Sequence, residues 1–145
     1  MEQTLHYLLM ANHLIFQKTF LSKIKPAALT SGQPKILDYL KYHNGAVQKE
    51  IAAACHIEPA TLTSLLLGME HKQLITRKMR NGNRRSLYVY LTEKGKKTAD
   101  YVQTEFCALE QKALMGFCKE EQELFTQFLL RIHENIKHKG EQPND

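Results

Sequence analysis

The apolar positions fall into blocks of helical spacing, interrupted once by a stretch of alternation. In the first block, over residues 3–24, Leu5, Leu8, Leu9, Ile15, Phe16, Phe20 and Ile24 form a broad stripe on one predicted helix. Pro26 ends it. A stripe this broad at one end of a chain implies a second surface to bury, such as another subunit. The next block, Ile36, Leu37 and Leu40, predicts a helix that starts near Thr30 and stops at Asn44-Gly45. Two starts compete. Thr30 with Gln33 has the form of a capping box, but Pro34 would then remove the first intrahelical bond, which favours Ser31 as the cap.

The alternation lies within residues 47–95. A helix over Gln48–Cys55 turns its Ile51 and Ala52 inward, and Cys55-His56-Ile57 is a tight turn. A second helix opens at Pro59, whose fixed φ suits the first helical position and whose missing N–H costs nothing there. Leu62, Leu65, Leu66 and Met69 repeat on one of its faces at i, i+3, i+4 and i+7. Its opposite face carries Ala60, Thr63, Ser64, Leu67, Gly68 and His71, with Thr61 at the flank. Residues 74–80 and 84–91 then read as two strands. Leu87, Val89 and Leu91 alternate as a half-buried strand does, and Asn81-Gly82-Asn83 supplies the positive φ angles of a hairpin tip. Arg77, Lys78, Arg80, Arg84 and Arg85 make the hairpin basic. Helix, tight turn, helix and basic hairpin are the parts of a winged helix-turn-helix, whose slim second helix can enter a DNA major groove.

Two more helical blocks follow. Thr92 caps a helix over residues 93–116 that buries Ala99, Val102, Phe106, Leu109, Ala113 and Leu114. After Cys118-Lys119-Glu120-Glu121 a last stripe holds Leu124, Phe125, Phe128, Leu129, Ile132 and Ile136. Acids in its first turn and Lys137 and Lys139 near its end both suit the helix dipole. The expected fold is mainly α: a winged helix-turn-helix over 30–95 with a two- or three-stranded β wing. An α-helical dimerisation domain comes from both termini, 1–28 and 96–138. The whole is one domain with a disordered tail over 139–145.

Composition narrows the function. The 145 residues carry a formal net charge of +5 and a pI of about 9.1, which favours a polyanionic partner. The opening Met1-Glu2-Gln3-Thr4 lacks a basic segment, so no signal peptide is expected. No uncharged apolar run approaches the roughly 18 residues of a spanning helix, so no membrane partner is expected. Cys55, Cys107 and Cys118 are an odd set without C-x-x-C spacing, which fits a reducing cytoplasm better than a disulfide framework. The seven histidines contain no H-x-x-x-H pair; His6 and His13 are seven apart, and His133 and His138 five. No metal site or cofactor is expected. No nucleophile–base set, Gly-rich phosphate loop or paired carboxylates stand out, so the chain is not expected to be an enzyme.

Three passages resemble the MarR family (multiple antibiotic resistance regulators). Leu29-Thr30-Ser31-Gly32-Gln33-Pro34-Lys35-Ile36-Leu37 is similar to the family's L-T-x-x-Q-x-x-I-L helix opening. Gln48-Lys49-Glu50-Ile51-Ala52, Ala60-Thr61-Leu62-Thr63 and Leu74-Ile75 are similar to its helix-turn-helix. Residues 77–95, closing on Leu91-Thr92-Glu93-Lys94-Gly95, are similar to its wing and L-T-x-x-G. The resemblance implies a cytoplasmic homodimer on double-stranded DNA, each wing in a minor groove, often a repressor released by a small ligand. It places that ligand, apolar or an aromatic acid, between the first, second and fifth helices, where His13, Gln17 and Tyr39 are the polar candidates. The wing triplet here is Asn83-Arg84-Arg85, where the family usually has Asp-x-Arg; Ser64 or Gly68 stands where it often has a base.

The expected DNA contacts are therefore Gln48, Lys49, Ala60, Thr61, Thr63, Ser64, Gly68, His71, Arg77, Asn83, Arg84 and Arg85. Guanine is commonly read by Arg or Lys, and the second helix has neither between Pro59 and His71. Small apolar groups and hydroxyls read thymine methyls and shape, and wing arginines suit the narrow minor groove of A-tracts. The expected target is an A·T-rich inverted repeat. Two other readings remain: a winged-helix module that docks proteins without binding DNA, and a redox-sensing repressor with Cys118 as its thiol, at the N-terminus of the last helix.

Overall fold

The computed structural model describes residues 3–80 and 86–137. The wing tip Asn81-Gly82-Asn83, with Arg84 and Arg85, and the tail at 139–145 lie outside the described residues. The elements run α1 (Leu5–Lys23), a 3-10 turn (Lys25–Ala27), α2 (Gln33–Tyr42), α3 (Gln48–Cys55), α4 (Pro59–His71), β1 (Ile75–Met79), β2 (Leu87–Leu91), α5 (Glu93–Ala113) and α6 (Lys119–Lys137). Two compact units divide after Leu109, and α5 crosses the boundary.

The first unit is a winged helix-turn-helix packed on α1 and the start of α5. Its core joins the inward faces predicted from periodicity: Ile36, Leu37 and Leu40 of α2, Ile51 of α3, Leu62, Leu66 and Met69 of α4, Val89 of β2 and Val102 of α5 are all buried. Burying each such side chain contributes about 2 kcal/mol, offset largely by the entropy of ordering the chain. Phe20 of α1 stacks on Phe106 of α5, ring centroids 3.8 Å apart.

β1 and β2 pair antiparallel in the register Ile75↔Leu91 to Met79↔Leu87. The sheet has two strands; in place of a third, Val47 makes a single bridge to Tyr88. The Asn44-Gly45 pair does not end α2, which stops at Tyr42. It serves the hairpin instead: Asn44 Oδ1 accepts the Leu91 N–H at 2.8 Å and the Gly45 N–H donates to the Val89 carbonyl at 2.8 Å.

Ser31 is not the cap of α2. The helix starts later, behind Gly32 at φ +94°, and no side chain caps it. The Ser31 hydroxyl accepts from Gln17 Nε2 at 2.7 Å. Gln33 Oε1 accepts the Thr30 N–H at 3.1 Å, half of the capping box, and Pro34 falls in the first turn where it removes no bond.

Thr92 caps α5 as expected, its Oγ1 accepting the Gly95 N–H at 3.0 Å and donating to the Gln73 carbonyl at 2.6 Å. Gly95 is needed for space: a Cβ there would lie 1.9 Å from the Leu74 carbonyl oxygen. α5 ends at Ala113, short of Gly116, and Ala113 is exposed rather than buried, because the burial surface ends near Leu109.

In the second unit α6 leaves Leu124, Phe125, Phe128, Leu129 and Ile136 exposed. In the first unit α1 leaves Leu5, Leu8, Leu9, Met10, Leu14 and Ile15 exposed.

Candidate nucleic-acid interface

The chain bends by 109° between α3 and α4, within the range of helix-turn-helix pairs. His56 makes the turn in the left-handed region at φ +52°, and the Ile57 N–H closes it on the Ala52 carbonyl at 2.9 Å. Ile57 is buried and anchors the turn to the core.

Beyond the turn α4 presents Ala60, Thr61, Thr63, Ser64, Leu67 and His71 to solvent. Leu67 is the one large apolar group in this row, 50% exposed. Gly68 is half-buried: a Cβ there would come 3.1 Å from Gln33 Nε2, so this glycine lets α4 lie close to α2. Thr63 turns its hydroxyl back to the Pro59 carbonyl at 3.1 Å. Gln48, Lys49 and Thr63 line an open groove of about 610 Å³ between α3 and α4, with Lys49 exposed and Gln48 half-buried.

The hairpin stem adds cations held by aromatic rings. The Arg80 guanidinium lies 5.0 Å from the Tyr88 ring centre and 5.4 Å from that of Tyr90, and Lys78 Nζ lies 5.5 Å from the Tyr90 centre. Arg77 is engaged within the protein. Its Nε donates to Glu70 Oε1 of α4, its Nη2 forms an ion pair with the same oxygen, and its Nη1 donates to Gln48 Oε1 of α3 at 3.3 Å. The expected contacts at Asn83, Arg84 and Arg85 lie outside the described residues.

Sequence reasoning missed a second polar junction on the C-terminal half of α4. Gln33 is 2% exposed; its Nε2 donates to the Leu65 carbonyl at 3.3 Å and its Oε1 accepts from Lys72 Nζ at 2.9 Å. Periodicity points only to apolar inward positions, so a buried amide gives no such signal. Glu70 was missed as well, although an acid and a base seven positions apart across one turn was a signal to weigh.

Elsewhere in the first unit His13 and Gln17 line a cleft of about 160 Å³ with Phe16, Phe20, Pro34 and Phe106. Tyr39 is not part of it; its ring stacks on His43 at 4.3 Å. Cys55 is buried, its Sγ 3.7 Å from the Lys35 carbonyl, and burial pushes its thiol above the ordinary range. Cys107 and Cys118 are exposed. Glu121 accepts the Cys118 backbone N–H at 3.1 Å, and hydrogen bonds from Cys118 hold its carboxyl below the usual range.

Residues 29–87 match the sequence profile of the MarR family. The winged helix-turn-helix is a MarR-family domain. The HTH-type transcriptional regulator YybA of Bacillus subtilis (strain 168) is 27% identical over 79% of this chain and 77% of its own length. The S. aureus MepR–DNA complex is 26% identical, covers 93% of this chain and 99% of MepR, and superposes with a TM-score of 0.86. A MarR-family regulator from Listeria monocytogenes complexed with 26-mer DNA has the same fold, at 22% identity, full coverage of both chains and a TM-score of 0.85. YybA, MepR and the Listeria protein are transcription regulators, not enzymes. Among the described residues no single helix is long and apolar enough to cross a membrane.

Proposed function

We propose that this chain is a homodimeric transcriptional repressor that binds an A·T-rich inverted repeat in double-stranded DNA and is released by a small aromatic ligand. The observation that carries the reading is the outer row of α4. Six exposed residues with no Arg or Lys stand on a helix-turn-helix of the right bend, beside a hairpin stem carrying exposed Lys78 and Arg80. Hydroxyls and methyls on that row fit thymine methyls and groove shape, while cations of the wing and Lys49 supply phosphate contacts. MepR, which is similar over almost its whole length, is seen bound to DNA.

The exposed apolar residues of α1 and α6 support the dimer, since a monomer rarely shows so much to water. A two-fold dimer reads an inverted repeat, with half-site centres about one helical turn apart. The cleft beside His13 and Gln17, walled by Phe16, Phe20 and Phe106, is the proposed ligand site.

Selection of bound duplexes from a random-sequence pool tests the DNA reading. The expected consensus is two A·T-rich half-sites in inverted order, with affinity falling steeply with salt. Half-site cores dominated by G·C pairs, or recovery of no duplex, would refute it. Sedimentation at micromolar concentration tests the dimer, and a stable folded monomer would refute that part. A salicylate titration tests release: an unchanged melting temperature and DNA affinity would count against the ligand site.

A further inference from the structure

We infer that Arg77 is a positioning residue which sets α4 and Gln48 for reading DNA and does not itself neutralise a phosphate. The inference rests on the DNA-binding reading above and assigns a role to one cation within it. A basic residue at the foot of a wing invites the opposite assignment, and three observations decide against it.

First, the guanidinium is already engaged. Nε donates to Glu70 Oε1, Nη2 forms an ion pair with the same oxygen, and Nη1 donates to Gln48 Oε1, so each nitrogen faces an acceptor within the protein. Second, the pair is partly withdrawn from water, with 18% of the Arg77 side chain and 34% of the Glu70 side chain exposed. To reach a phosphate Arg77 would have to leave a charge-assisted pair and strand Glu70 as a half-buried anion beside DNA. Third, the three partners belong to three elements. Arg77 stands on β1, Glu70 in the last turn of α4, and Gln48 at the first position of α3. One planar side chain thus links the wing, the recognition helix and the helix before it. The neighbouring stem cations, Lys78 and Arg80, are exposed and lie over tyrosine rings, so phosphate contact has other donors.

The link also orients Gln48. Its carbonyl oxygen receives Arg77, which fixes the amide at the mouth of the groove between α3 and α4. Without Arg77 the amide loses that restraint and α4 loses a side-chain tie to the wing.

The two roles differ in measurable signs. The probes are the A·T-rich duplex recovered by the wild-type chain from the random pool and a scrambled duplex of equal length. Arg77→Ala is expected to weaken binding of the selected duplex by about tenfold. It should leave the scrambled duplex bound as before and keep the wild-type salt slope. A phosphate contact would lower that slope by about 0.9 and weaken both duplexes alike. Glu70→Ala is the sharper arm. A positioning pair predicts weaker binding, whereas a phosphate-binding Arg77 predicts tighter binding, because the variant frees a cation and removes an anion. The double variant should bind no worse than either single one, as two halves of one link do.

Thermal unfolding of each variant accompanies the titrations. A fall in both affinities that tracks the unfolded fraction would overturn the inference in favour of a stability role. A reduced salt slope in Arg77→Ala, or tighter binding by Glu70→Ala, would overturn it in favour of direct contact. Failure of the wild-type chain to bind any duplex would refute the DNA reading and this role with it; with a binding wild type, the variants judge the role alone.

Discussion

Replacing Gly95 by Ala should destabilise the protein, although alanine is the better helix former. The substitution lies in the first turn of α5, where Gly→Ala ordinarily stabilises by about 1 kcal/mol. Here the added Cβ would stand 1.9 Å from the Leu74 carbonyl oxygen and 3.0 Å from its carbon. Non-bonded heavy atoms pack at roughly 3.5 Å, so the carbonyl must retreat by about 1.5 Å. That carbonyl accepts the Thr92 N–H at 3.0 Å, and the same threonine is tied through its hydroxyl to Gln73. The retreat therefore breaks a hydrogen bond, about 1 kcal/mol, and strains packed backbone at about 2–3 kcal/mol. After the helix-propensity gain the net cost is about 2–3 kcal/mol. For a chain of this size the melting temperature should fall by roughly 5–10 °C. Thermal unfolding followed at 222 nm, at matched protein concentration because association shifts the midpoint, measures it. A useful comparison is Gly116→Ala, which meets no atom within 4 Å but sits at φ +86°, so it should cost only about 1 kcal/mol. A Gly95→Ala protein melting at or above wild type would refute the reasoning.

Asp38 provides a pH test. Burial raises its carboxyl above the ordinary 3.8, with Lys41 opposing weakly, so the folded state holds the proton more tightly than the unfolded chain. Stability should then fall as pH rises from the ordinary value through the raised one, and Asp38→Asn should remove that part of the pH dependence and melt higher at neutral pH; an Asn variant with the wild-type profile would contradict it. Thiol labelling at neutral pH should modify Cys107 and Cys118 rapidly and Cys55 only on unfolding, since Cys55 is buried with a raised thiol; three equally fast thiols would overturn this. Ser64→Arg should pull the selected consensus towards guanine at one position per half-site, with a discrimination of about 1–3 kcal/mol for a bidentate contact. A consensus unchanged by that variant would mean Ser64 does not face a base.

What was legible in the sequence was what neighbouring residues decide among themselves. The 3.6-residue period picked out the inward faces of α2, α3 and α4, and Pro59 and Thr92 marked helix starts with their own backbone chemistry. What was missed depends on partners far along the chain. Gly32, not Ser31, precedes α2, at φ +94° and where a Cβ would come 3.0 Å from Leu65 Cδ1 of α4. Asn44 and Gly45 pair with β2 rather than closing α2, since the hairpin that claims them comes more than forty positions later. The expected burial of Ala113 extended a local period past the point where the first unit ends.

The interface shows the same division, with a consequence for its chemistry. Residue types alone ranked Arg77 with the wing cations, and the fold separates it from them by supplying Glu70 and Gln48. Cations of the stem remain exposed on the hairpin, while α4 keeps a neutral outer row. On the proposed reading, charge and sequence recognition thus fall on different elements. Phosphate attraction acts at longer range and is screened by salt, whereas methyl and hydroxyl contacts act only when α4 is seated to within a fraction of an ångström. A recognition helix without a cation has no long-range pull to correct a poor fit. On the proposed DNA reading its discrimination then depends on how firmly the rest of the domain holds it, so the side chains fastening the C-terminal half of α4, Gln33 with Lys72 and Glu70 with Arg77, would bear on specificity without touching a base.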